Sequence, residues 1–178
     1  MQIHVSKLDA AKRQLETAMN LFFRGGDPVA IHTLANAAQE VLEDISIKQG
    51  FSSIRKDVLA MAREDKRAEL EQKLTAPKNF FKHADRDPDG IVKFNPESTA
   101  FDIWDAGRMY YILTQDNIPL FRVFDIWFYS RHPDVINLES SLKEQIDQAL
   151  IGLKLNPENR GSFLTLLPIV ESASYKFN

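Results

Sequence analysis

The chain has 178 residues, 22 Lys and Arg against 25 Asp and Glu, a net charge of −3, and 44% hydrophobic and 26% charged residues. These proportions suit one globular domain and exclude a disordered chain or a strongly basic surface made to coat nucleic acid. Cysteine is absent, which excludes disulfides, thiolate nucleophiles and cysteine-ligated metal centres and leaves any chemistry to His, carboxylates, Lys, Arg and hydroxyls.

The first residues, MQIHVSKLDAAKRQLE, lack the basic start and apolar stretch of a secretory signal, so a cytoplasmic location is expected. Leu8, Ala11, Leu15, Ala18, Met19 and Phe22 recur at helical spacing behind a capping Ser6, and Gly25-Gly26 supplies the stop. Asp27-Pro28 then opens a second helix, with Ile31, Leu34, Ala35, Ala38, Leu42 and Ile45 on one face up to Gly50. Ser53 to Thr75 reads as one long, mostly solvent-facing helix that Pro77 ends. Residues 78–95 form the irregular, turn-rich part, in which Ile91 to Phe94 has the composition of a brief extended piece. Asn95-Pro96 and Pro119 open two strongly apolar helices, the second halted at His132-Pro133. Two more follow, Ser140 to Leu155 and Gly161 to Tyr175, with Pro168 expected to bend the last. The expected architecture is an all-α, single-domain bundle of roughly six or seven helices with short loops. No run is apolar enough to span a bilayer, so no membrane partner is expected.

The segment KNFFKHADRDPDG, residues 78–90, concentrates chemistry-bearing side chains in one turn. Lys78-Asn79-Phe80-Phe81-Lys82-His83 resembles the motif of HEPN domains, an all-helical family in which an Arg and a polar residue precede a His; here Lys78 stands where the family has Arg. The resemblance implies that His83 assists proton transfer at a phosphate, that Asn79 orients it and that Lys78 holds the phosphate, at a cleft between two subunits. Lys lacks the bidentate fork of Arg, so the substitution puts cleavage in question and leaves binding. LFFRGGDPVAIHTLA together with NFFKHADRDP also resembles a bacterial family of small helical proteins with no assigned activity.

Two other readings of the same segment stand beside this one. Asp85, Asp87 and Asp89 followed by Gly90 match the opening of a calcium loop, but Pro96 stands where the closing bidentate Glu belongs. A transition-metal variant would use His83 and Asp87, joined by His32. The third reading is an ordinary surface turn, since Asp, Pro and Gly in this order favour turns.

Elsewhere, the helix start after Gly25-Gly26 offers free amides to a small anion, with Arg24, Asp27 and His32 nearby and Lys82 a further candidate ligand-binding residue. Asp102, Asp105 and Arg108, and Arg122 with Asp125, are charges set in apolar helices, where ion pairing between helices or subunits is the expected use. The aromatic stretch Leu120 to Tyr129 suggests apolar surface left over for a homodimer. The combined expectation is a homodimeric, cofactor-free binding or regulatory module that contacts RNA or a nucleotide at the 78–83 turn. A metal-independent RNase-like activity is the enzymatic form of that expectation. The alternative is a small-anion or metal-binding enzyme or sensor built on His32, His83 and the nearby aspartates.

Overall fold

The capping signals of the sequence translate directly into helix ends. Ser6 accepts from the amide of Asp9, and the Asp9 carboxylate accepts from the amide of Ser6, a reciprocal cap that starts α1 (Lys7–Phe23). Gly25 adopts a left-handed φ of 68°, and Gly26 N–H donates to Leu21 O at 2.8 Å, which closes the helix and turns the chain back. Asp27 then caps α2 (Pro28–Lys48) by accepting from Ala30 N–H at 2.9 Å. Gly50, at φ 82°, ends α2 in the same way, with Phe51 N–H donating to Ser46 O.

The computed structural model describes residues 2–85, 87–135 and 140–174. Among them the fold is all-α, with eight α-helices and two 3₁₀ stretches. After α2 come α3 (Ile54–Met61), α4 (Glu64–Lys82), a 3₁₀ turn (Pro96–Ser98), α5 (Thr99–Thr114), α6 (Pro119–Arg131), α7 (Ser140–Gly152), a 3₁₀ segment (Arg160–Leu166) and α8 (Leu167–Ser174).

Several boundaries differ from expectation. The long helix expected from Ser53 to Thr75 is two helices, broken where Ala62 takes an extended conformation with ψ 144°. Pro77 does not end α4, which runs on to Lys82. A proline inside a helix removes one hydrogen bond, and the contacts of Lys78, Phe81 and Lys82 with α2 hold the last turn in place. Residues 91–94 pair with no strand among the described residues. The last helix begins as a 3₁₀ segment, and Pro168 falls in the first turn of α8, where a proline is tolerated. Its expected end at Tyr175 lies outside the described residues.

Three side-chain contacts set the direction of packing between α2 and α5: His32 with Thr99, Asn36 with Asp102 and Gln39 with Asp105. Positions advance together on both helices, so α2 and α5 run parallel. Parallel neighbours cannot be joined by a tight turn, and the chain must climb back over the roughly 30 Å length of α2. Helix α4 makes that return: Lys78 meets Glu40 while Phe81 meets His32, the antiparallel sense.

The core lies on the other side. Leu15, Met19, Phe22 and Phe23 of α1, Ile31, Ala35 and Leu42 of α2, Ile103, Ala106 and Met109 of α5, and Phe124, Trp127 and Phe128 of α6 form one buried cluster, closed over by Phe163 and Leu166. The apolar circumference of α6 is therefore used inside the chain, among α1, α5, the 3₁₀ segment and α8. This removes the reason for expecting a homodimer on account of that helix. In contrast, α3 contributes no fully buried residue and α4 only Lys78.

The α5–α6 pair depends on one small residue. An ideal Cβ built on Gly107 lies 1.9 Å from Cε2 of Phe121, so the Phe121 ring rests directly on the α5 backbone. Gly107→Ala should lower stability by about 3 kcal/mol, the upper end of the usual cost of overpacking. Chemical denaturation checks this, and pairing it with Phe121→Leu should recover part of the loss.

Candidate functional site

Helix α2 carries two stripes. One is the apolar stripe facing the core; the other, Asn36, Gln39, Glu43 and Ser46, is polar and equally buried. Buried polar groups must be hydrogen-bonded or they cost stability, and most of this stripe is. Asn36 Nδ2 donates to Asp102 Oδ2 at 3.2 Å, and Gln39 Nε2 donates to Asp105 Oδ2 at 3.0 Å. The other oxygen of Asp105 accepts from Ile54 N–H at 3.0 Å, fixing the start of α3. Arg55 donates to Gln39 Oε1 and to Glu43 Oε2, both at 2.9 Å, and Ser53 donates its hydroxyl hydrogen to Glu43.

His32 sits at the head of this seam, 3% exposed, under the rings of Phe81 and Phe94. Its Nδ1 is 2.9 Å from Thr99 Oγ1. Burial, together with the nearby Lys82 and Lys78 ammonium groups, drives its pKa down to about 4, so the ring is neutral at pH 7. Its 3.6 Å approach to Asp102 is accordingly a polar contact and not an ion pair. Burial moves the Asp102 carboxyl the other way, up to about 6, against the hydrogen bond from Asn36.

The end of α4 presents two faces. Lys78 and Lys82 reach to α2, where both hold Glu40, at 2.5 Å and 3.1 Å. Glu40 is held below the usual carboxylate range by these two partners, although burial opposes the shift most strongly. Asn79 and His83, one helical turn apart, open on the opposite side into a groove of about 780 Å³. Gln72, Thr75, Phe80, Asp85 and Asp87 also line it, and among the described residues no lysine or arginine does. Of the residues implied by the motif, Asn79 and His83 share this groove while Lys78 lies on the other face.

The remaining candidates do not assemble around it. His32 is separated from the groove by the Phe81 side of α4. Asp27 already caps the start of α2 by accepting from Ala30 N–H, and Arg24 is exposed at the preceding turn. Asp87 begins a turn closed by Gly90 N–H donating to Asp87 O at 2.9 Å, the arrangement expected of Asp-Pro-Asp-Gly. Among the described residues no three His, Asp or Glu side chains converge in a way that could hold a metal ion, Asp85 and Asp87 included.

The all-helical architecture is compatible with a HEPN-like domain. No protein-family model, no curated protein and no solved structure matches the chain. Among the described residues no helix is long and apolar enough to cross a membrane.

The polar stripe on α2, its partners Ser53 and Arg55, and the neighbouring Glu40 leave no mark in hydrophobic periodicity, which registers only the apolar stripe. A usable signal was present: two amides three residues apart, Asn36 and Gln39, answer two carboxylates three residues apart, Asp102 and Asp105.

The two titrating groups of the seam act oppositely on stability. As pH falls from 6.5 towards 4 the unfolded chain takes up a proton at His32 that the folded state refuses, so stability is lost. Between about 6 and 3.8 the folded state keeps a proton on Asp102 that the unfolded chain releases, so stability is gained. Asp102→Asn removes the gain alone. The variant should be more stable than the parent at pH 8, by about 1–2 kcal/mol, and should lose stability more steeply on acidification to pH 4. Urea denaturation across this range tests the difference, and parallel curves for the two proteins would contradict it.

Proposed function

We propose that this chain is a helical binding module that receives a nucleoside unit, from a free nucleotide or from single-stranded RNA, in the groove at the end of α4. The observation that carries this reading is the lining of that groove: the Asn79 and Gln72 amides, the Thr75 hydroxyl and the His83 imidazole lie beside the Phe80 ring. Amides read the edges of bases and an aromatic ring supplies a stacking surface, whereas phosphate asks for Lys or Arg. Asp85 and Asp87 suit the hydroxyls of ribose and the amino groups of bases, and they repel phosphate.

The HEPN resemblance supports the location and alters the emphasis. In this reading Asn79 and His83 keep their places at the ligand, and Lys78 serves Glu40 and the folding of α4 rather than a scissile phosphate. Recognition then rests on the base and sugar, and rapid phosphodiester cleavage is not expected, since no cation among the described residues lines the groove to stabilise charge at phosphorus.

Titration of a labelled single-stranded RNA of mixed sequence, followed by fluorescence anisotropy, tests the proposal. Asn79→Ala and Phe80→Ala should each weaken binding by about 1–3 kcal/mol. His83→Ala should weaken it while leaving the melting temperature unchanged, since the side chain is exposed. The slope of log K against log salt concentration should be shallower than about −0.7, the value for neutralising a single phosphate of a single strand. Binding that survives all three substitutions, or a slope of several units, would show that nucleic acid is held elsewhere and by its phosphates.

A further inference from the structure

A second cleft, of about 370 Å³, lies on the far side of the α5–α6 hairpin and is lined by Arg108, Tyr111, Asn117, Phe121, Arg122 and Asp125. Its volume falls in the range of small-molecule sites. The two arginines are poorly used by the fold. The Arg122 guanidinium belongs to an exposed residue and makes no hydrogen bond or ion pair among the described residues. Arg108 lies over the Trp104 ring, 5.1 Å from its centroid, and approaches Asp105 only to 3.9 Å. The Asp105 oxygens are meanwhile held at 3.0 Å by Ile54 N–H and Gln39. Both guanidinium groups therefore keep donors that face the cleft uncommitted, beside a hydroxyl from Tyr111 and an amide from Asn117.

We propose that the α5–α6 cleft binds a small oxyanion, a carboxylate or a tetrahedral phosphate-like group, between Arg108 and Arg122. Guanidinium is the side chain suited to this, because its planar fork meets two anion oxygens at once. Phe121, anchored on Gly107, forms an apolar floor that keeps water from competing along one side.

Asp125 makes the site sensitive to pH. Its Oδ1 is buried and accepts no hydrogen bond among the described residues. Burial pushes the carboxyl up to about 7, against the Trp104 indole and the positive charges of Arg108 and Arg122. The groups facing it are Arg108 and Trp104 from α5, and Arg122 and Tyr129 from α6. Neither arginine titrates near neutrality, and burial raises the Tyr129 hydroxyl above its usual value. Protonated, Asp125 leaves two cations free for the ligand; ionised, it places a negative charge beside the bound anion. Binding should therefore weaken as pH rises from 6 to 8.

Isothermal titration calorimetry at constant ionic strength is the test, with sodium sulfate and sodium acetate as probes and sodium chloride as the reference. Sulfate keeps its charge through this pH range, so the dependence reports the protein. A saturable, single-site heat is expected for one probe or both, and the stronger of the two identifies the tetrahedral or planar class. Arg122→Gln should weaken it by about tenfold or more, as loss of a charge-assisted hydrogen-bond pair requires, without changing the melting temperature. Asp125→Asn should keep binding and abolish its pH dependence. No saturable heat beyond chloride, or undiminished binding by Arg122→Gln, would overturn the proposal.

Discussion

The parallel registry of α2 and α5 is the constraint from which the rest of the architecture follows. It is fixed by three polar contacts, His32 to Thr99, Asn36 to Asp102 and Gln39 to Asp105, each of which a slip of one residue would break. Such contacts add modestly to stability once desolvation is counted, but leaving any one of them unmade is costly. They therefore specify one arrangement among the several that an apolar core alone would tolerate. A parallel pair obliges the chain to return along its own length, and α3 and α4 exist in the fold as that return.

The return arm is attached by a different chemistry from the core. Helices α1, α2, α5 and α6 share a dense cluster of aromatic and aliphatic side chains. The arm meets α2 through Arg55 with Gln39 and Glu43, through Lys78 and Lys82 with Glu40, and through Phe81 with His32. Arg55, Lys78 and Lys82 of the arm spend their charge on α2, and among the described residues the outward groove at Asn79 and His83 is lined by neutral amides, a hydroxyl, an imidazole and carboxylates rather than by cations. The proposed preference for base and ribose over phosphate accords with the way the arm is anchored. The α5–α6 cleft has the complementary character, since Arg108 and Arg122 have little protein charge to satisfy.

Helix existence was legible because its signals are local. Ser6 with Asp9, Gly25, Asp27-Pro28, Gly50 and Asn95-Pro96 each act within a few residues and each behaves as its chemistry requires. What failed depended on partners distant in sequence. Pro77 read as a helix end because nothing nearby reveals that Glu40 and His32 would grip the turn beyond it. The Leu120 to Tyr129 stretch read as surplus apolar surface because the sequence does not say that α1, α5, α7, the 3₁₀ segment and α8 surround it. In the candidate site, Asn79 and His83 were visible through their motif, although the helix that carries them was not, and the burial of Lys78 was hidden because its cause is a carboxylate 38 residues away. The buried stripe of α2 was missed for a related reason: Asn36, Gln39 and Glu43 look like a solvated face until the carboxylates and the arginine that satisfy them are placed.

A polar seam docks the α3–α4 arm onto a bundle that holds its own core. Native-state hydrogen exchange, amide by amide at increasing denaturant, tests it most directly, with Arg55→Ala compared against the parent. Amides of α3 and α4 should exchange through an opening of lower free energy than those of α1, α5 and α6. Arg55→Ala should lower the arm's protection further while leaving α1 and α5 nearly unchanged. Exchange of α4 only through the global unfolding that releases α5, in both proteins, would contradict it.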